Sequence, residues 1–160
     1  MRQFARVVLA ALVVAGPSLT IAVAGEAENE AVARRFYTEF NLHHLDAFNQ
    51  LMAGNFVDHN PSPDQKPGVQ GLIDLNKVFI AAFDDIKVNP ELVIAKGDYV
   101  TVYSTVAGTH TGDFFGVAAT KKAIDFTSID IWLVKDGKLA EVWHVKDILA
   151  ILGEIGAIKM

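Results

Sequence analysis

The sequence predicts an α+β domain in which helices come first and an antiparallel sheet follows. Two observations carry this. Up to Phe83 apolar residues recur every three or four positions, whereas from Lys87 onward they fall in β-rich runs broken at "KGD" (Lys96–Asp98) and at Asp136-Gly137. The second is the order itself, because helices followed by strands mark a segregated domain rather than βαβ units.

The elements follow in turn. Residues 27–41 give a first helix, with Val32, Phe36 and Phe40 on one stripe and Ala33 and Tyr37 beside them. After the polar break "NLHH", a short second helix is expected over Leu45–Met52. "AGNFVDHNPSPDQKPG" reads as a loop-rich connection, with three prolines marking irregular backbone. A third helix covers about Val69–Phe83, striped by Leu72, Leu75, Phe79 and Phe83. "VNPELVIAKGDYVTVYSTVAGTHTG" is two strands around a turn, "DFFGVAATKKA" a connection, and "FTSIDIWLVKDGKLAEVWHVKD" a hairpin. "ILAILGEIGAI" suits a terminal helix. One sheet with helices over one face encloses an interior, either solid core or pocket.

The 160 residues suit one domain, and the absence of cysteine excludes disulfides, thiolate metal sites and Cys nucleophiles. Residues 1–24 read as a signal peptide: Arg2 and Arg6, then "VVLAALVVAG", then "AVA" before an expected cut after Ala24. The domain proper is then 25–160, and a periplasmic or secreted location follows. The rival is an uncleaved membrane anchor, since Val7–Ala24 carries no charge. After cleavage no stable membrane insertion is expected. Removing Arg2 and Arg6 from the 14 basic residues leaves 12 against 19 acidic ones, a net charge of −7. With no basic run anywhere, nucleic-acid binding is not expected.

One residue in the hairpin asks for an explanation. Asp130 stands between Ile129 and Ile131, where an unpaired buried charge would be costly. A type I′ turn at Asp136-Gly137 pairs Lys135 with Lys138, Trp132 with Glu141 and Asp130 with Trp143. Asp130, Trp132, Glu141 and Trp143 then share one face, and Ile129, Ile131, Leu133, Val142 and His144 the other. A glycine bulge would shift the pairing by one and set Asp130 opposite Val142. The first register is preferred, although Lys135 facing Lys138 counts against it. Asp130 is then either a solvated acid on a half-exposed strand or a carboxyl in a partly apolar cavity, able to move a proton or to donate to an oxyanion.

Other polar groups are candidates. His110, in "AGTHTG", ends a β-rich run that an adjacent strand would bring near Asp130, and imidazole titrates near neutrality; a water-facing His is the alternative. His59 and Asn60, before Pro61, are loop caps or polar fingers at a pocket mouth. His43 and His44 are expected in solvent. No local spacing suits a metal, no Gly-rich loop cradles phosphate, and no serine sits in a nucleophile elbow. No metal and no cofactor are therefore expected.

These residues carry a family likeness. "RRFYTEF", "FVDHNP", "GTHTGDFFGVAATKK" and "DIWLVKDGKLAEVW", followed by Asp147 and an Ile/Leu-rich tail, resemble the SnoaL-like polyketide cyclases (ester cyclases) of the nuclear-transport-factor-2-like (NTF2-like) superfamily, from about Glu28 to Ile155. The resemblance implies a cone: a curved antiparallel sheet wrapped by three N-terminal helices around a pocket. It implies a cofactor-free aldol-type cyclisation, with acid–base duty on Asp130 and assistance from His110. Ketosteroid isomerases of the superfamily also carry an Asp in the strand of Asp130, but Asn60 stands where they have an acidic base, which points away from steroid isomerisation. Phe36, Trp132 and Trp143 would shape the cavity, with His59 and Asn60 completing the contacts to a small hydrophobic carbonyl or ester. The alternative is an exported protein that binds such a molecule without changing it. A homodimer through the apolar outer sheet face is expected in either case.

Overall fold

A computed structural model describes residues 25–159; the signal segment expected over 1–24 lies outside the described residues. Helix α1 (Glu26–Asn41) opens with Glu26 and Glu28 in its first turn, where carboxylates suit the positive end of the helix. It buries Ala33, Phe36, Tyr37 and Phe40. A single 3₁₀ turn (Leu45–Ala47) and the four-residue α2 (Phe48–Leu51) stand where one short helix is expected. Helix α3 (Gly68–Ala82) turns Leu72, Ile73 and Phe79 inward.

The sheet holds β1 (Met52–Asp58), β2 (Lys87–Lys96), β3 (Tyr99–Thr109), β4 (Ala123–Lys135) and β5 (Lys138–Lys146), in the spatial order β1-β5-β4-β3-β2. Helix α4 (Ile148–Ile155) closes the chain, started by the Asp147 carboxylate, which accepts from the Ala150 amide at 3.0 Å, and ended by Gly156 at φ +83°. Helices against one face of a curved open sheet give the α+β cone expected.

Two features correct the expectations from sequence. The sheet is mixed, because β1 lies parallel to β5 at the edge, within a stretch read as loop. Its pairing is irregular between Met52 and Val57, around Gly54 and Asn55, which hides strand character in the sequence. The second is the register of the β4–β5 hairpin. Asp136 and Gly137 both have positive φ, +51° and +69°, as the type I′ turn requires, and Lys135 pairs with Lys138 and Val134 with Leu139. Ala140 is then an extra residue in β5. Beyond this bulge Leu133 pairs with Glu141, Trp132 with Val142 and Asp130 with His144, so Asp130 faces neither Trp143 nor Val142.

The slip decides what the interior contains. Without it, Glu141 and Trp143 would point inward; with it, Val142, His144 and Lys146 do. The outer face carries Ile129, Ile131 and Val145 instead.

Candidate functional site

On the inner face, pairing across β3, β4 and β5 makes rows: Val100–Trp132–Val142, then Val102–Asp130–His144, then Ser104–Ser128–Lys146. Above them pack the aromatic and aliphatic side chains of α1 and α3. Between the layers lies a hollow lined by Phe36, Phe40, Leu72, Phe79, Val106 and Phe126, with Tyr37, Asn76, Ser128, Asp130, His144 and Lys146 as its polar groups. It offers about 60 Å³ to the centres of water-sized molecules, room for a few waters or a small guest.

Asp130 is 7% exposed. Its Oδ2 accepts a 2.8 Å hydrogen bond from the Tyr37 hydroxyl, which in turn accepts at 2.9 Å from the Trp132 indole N–H. Phe36 packs on Trp132 with ring centroids 4.8 Å apart and keeps this chain dry. Burial, and next the neighbouring Asp130 charge, push the Tyr37 phenol well above its usual pKa, so it stays a donor. The remaining Asp130 oxygen accepts no hydrogen bond among the described residues.

A second chain of polar groups enters from β1 and β5. The Nε2 of His144 lies 3.1 and 3.3 Å from the two oxygens of Asp58, and its Nδ1 lies 2.9 Å from Nζ of Lys146. The carboxylate fixes the tautomer: Nε2 carries the proton and Nδ1 accepts from the amine. Asp58 also accepts from the Asn60 amide at 2.9 Å and from the Gln65 side chain at 3.0 Å. Burial works to raise the Asp58 carboxyl, but the hydrogen bonds from His144, Asn60 and Gln65 outweigh it and leave it below the usual range. Burial likewise pulls the Lys146 ammonium below its usual value, against the charges of Asp130 and Asp58.

The structure brings together part of the expected set. Asp130, Phe36 and Trp132 line the hollow. Trp143 does not, because the bulge turns it outward, where it stacks on His59 at 4.1 Å between ring centres. His59 also holds Glu141 at 2.8 Å, so this pair braces the outer face. The side chain of Asn60 accepts from the His144 amide at 3.1 Å, and Asn60 lines an outer groove of about 430 Å³ that shares Phe79, His144 and Lys146 with the hollow. That places Asn60 at the mouth.

His110 is elsewhere. The β3 residue opposite Asp130 is Val102, and His110 lies eight positions along, roughly 26 Å of strand. It is fully buried beside Phe83, its Nδ1 engaged by the Thr120 hydroxyl at 3.0 Å and the Thr120 amide at 3.3 Å. The histidine that meets Asp130 is His144. Six polar groups of the site were not expected there from sequence: Tyr37, Asp58, Asn76, Ser128, His144 and Lys146. The signal for Asp58, His144 and Lys146 was the strict alternation Phe56-x-Asp58 and Val142-x-His144-x-Lys146.

Among the described residues no helix is long and apolar enough to cross a membrane, and no group of three or more His, Asp or Glu side chains is placed to hold a metal ion.

Comparison with known proteins agrees with this architecture. The family model described as SnoaL-like polyketide cyclase matches residues 31–155. The chain is similar to the structure of a candidate polyketide cyclase from Bacillus cereus, at 32% identity over 82% of each chain with a TM-score of 0.73. It is similar to IdmH, a candidate polyketide cyclase from Streptomyces antibioticus, at 25% identity over 80% of this chain and 98% of that one, TM-score 0.72. TsrD from Streptomyces laurentii shares the fold at 20% identity, with 84% and 98% covered and a TM-score of 0.76. No curated protein matches the chain.

Proposed function

Because the chain belongs to the SnoaL-like polyketide cyclase family, we propose that it is a cofactor-independent acid–base enzyme acting on a small hydrophobic carbonyl or ester compound, by aldol-type cyclisation or isomerisation. One observation carries this: a carboxylate in an apolar hollow, held at one oxygen by Tyr37 and, among the described residues, without a hydrogen bond at the other. In that setting Asp130 takes a proton from the carbon beside the carbonyl. The negative charge that develops on the carbonyl oxygen is met from the next row, where Ser128 and Lys146 stand. Tyr37 keeps the carboxylate aimed, and the aromatic walls exclude water.

The test is Asp130→Asn with a panel of small ketones, aldehydes and esters. Turnover is expected to fall by about 10²–10⁴-fold, the usual share of a general acid–base group, with the far-UV circular dichroism unchanged. Equal turnover by wild type and variant would remove Asp130 from the mechanism. The predominantly apolar lining supports a second reading, an exported protein that holds a hydrophobic molecule and returns it unaltered, as mass spectrometry of a bound ligand after long incubation would reveal.

Export and pairing belong to the same proposal. A secreted or periplasmic protein beginning at Gly25 is read out by intact mass. A dimer that covers Leu92, Ile94, Ile129 and Ile131, all exposed, is read out by light scattering.

A further inference from the structure

We propose that Lys146 captures a carbonyl ligand covalently, its amine forming an iminium in the hollow, with His144 as the base that frees the amine and Asp58 as the group that positions His144. This rests on the reading of the hollow as a carbonyl site and names what holds the ligand there.

The observations are geometric. Lys146 lines both the hollow and the groove outside it, so a ligand passing the mouth meets its Nζ. A lysine kept for structure ordinarily pairs with a carboxylate; among the described ion pairs Lys146 has none, and its polar contact is the 2.9 Å approach to His144 Nδ1. That nitrogen is the unprotonated one, because Asp58 holds Nε2. The charged and titratable groups facing the amine are Asp130 on β4, Asp58 on β1, His144 on β5 and Tyr37 on α1. The amine proton therefore has a place to go: on Nδ1 it makes an imidazolium whose charge Asp58 meets directly. An amine in an apolar pocket beside a base is the arrangement that activates lysine as a nucleophile.

The step balances without any further reagent. Nζ, having given a proton to His144, attacks the carbonyl carbon; the C–N bond forms as the carbonyl π pair moves to oxygen. His144 returns the proton to that oxygen and then carries a second one from the nitrogen to the hydroxyl. The C–O bond breaks with loss of water, and the freed nitrogen lone pair closes the iminium. The adjacent C–H is now far more acidic, and Asp130, in the neighbouring row, takes its proton. Water reverses the sequence and releases the product.

The experiment uses cyclopentanone with sodium cyanoborohydride on the purified protein, followed by peptide mapping, while ligand-observed NMR measures binding of cyclopentanone independently. The expected result is one reduced cyclopentyl group on Lys146, formed on the order of tenfold faster than on any surface lysine of the same molecule. Lys146→Met and Lys146→Arg lose it, and His144→Asn slows it. Binding without preferential labelling of Lys146 overturns the covalent step and leaves the carbonyl site standing, with Lys146 as a hydrogen-bond donor only. No binding in the hollow overturns both. Surface lysines of the wild-type protein serve as the internal control, so the outcome does not depend on any variant folding.

Discussion

The hydroxyl of Tyr37 donates to Asp130 at 2.8 Å across 93 residues of sequence, joining the first helix to the fourth strand inside the hollow. The same oxygen accepts from Trp132, so three side chains share one ordered line. Tyr37→Phe removes the middle of that line and strands a buried indole donor and a buried carboxylate, a cost of about 1–3 kcal/mol for each group left unpaired. Urea unfolding is expected to show the loss. A variant as stable as the wild type would mean the line contributes nothing net.

The same phenol gives an alkaline signature. Its pKa is raised in the folded protein by burial and then by Asp130, so folding favours the protonated form. That contribution is whole below the unfolded value near 10.0 and is lost as pH rises beyond it toward the folded value. The stability difference between wild type and Tyr37→Phe should therefore shrink above pH 10, as chemical denaturation at stepped pH would measure.

Asp58 gives the opposite sign. Its carboxyl lies below the ordinary value of 3.8, so it stabilises the fold above that pH and the contribution fades as pH falls through the lower folded value. Asp58→Asn is expected to be less stable than wild type at neutral pH and to converge with it in acid. Parallel curves down to the acid transition would show that His144, Asn60 and Gln65 do not hold the carboxylate charged.

The outward position of Trp143 separates it from the chemistry. Its stack with His59 lies across the sheet from the hollow. Trp143→Ala is expected to leave ligand affinity unchanged within about twofold, as for a site without shared partners, while Phe36→Leu, which alters a wall, weakens it. Calorimetry with one bound ketone distinguishes them, and a large loss with Trp143→Ala would contradict the register.

The legible parts of this fold are those written in local pattern. Helix stripes, the Asp136-Gly137 turn and the Asp147 cap all act within a few residues, and Asp130 stands out because isoleucine flanks it on both sides. Strand β1 is not legible, since its partner is a parallel strand some eighty residues away and Gly54 and Asn55 interrupt its alternation. Tyr37 hides beside Phe36 in an ordinary apolar stripe; only the tertiary bond to Asp130 sets it apart. The inward turn of His144 and Lys146 follows from Ala140 being left unpaired in the ladder, and alanine carries no bulge signal of its own.

That alanine supplies the last prediction. Ala140 is the surplus residue between Leu139, opposite Val134, and Glu141, opposite Leu133. Deleting it removes the bulge yet keeps every pairing on either side, so Asp130 still faces His144 and the hollow keeps its polar rows. The shortened protein is expected to fold, with a cost of about 0.5–3 kcal/mol from the lost buried methyl and the altered twist. Cross-strand nuclear Overhauser contacts between residues 130 and 144 should persist. A second alanine inserted after Ala140 does the reverse: unless the chain absorbs it in a wider bulge, it turns Trp143 and Glu141 inward, and burying that carboxylate is costly enough to abolish folding. Should the deletion fail to fold while the insertion is tolerated, the bulge would not be what orients the site.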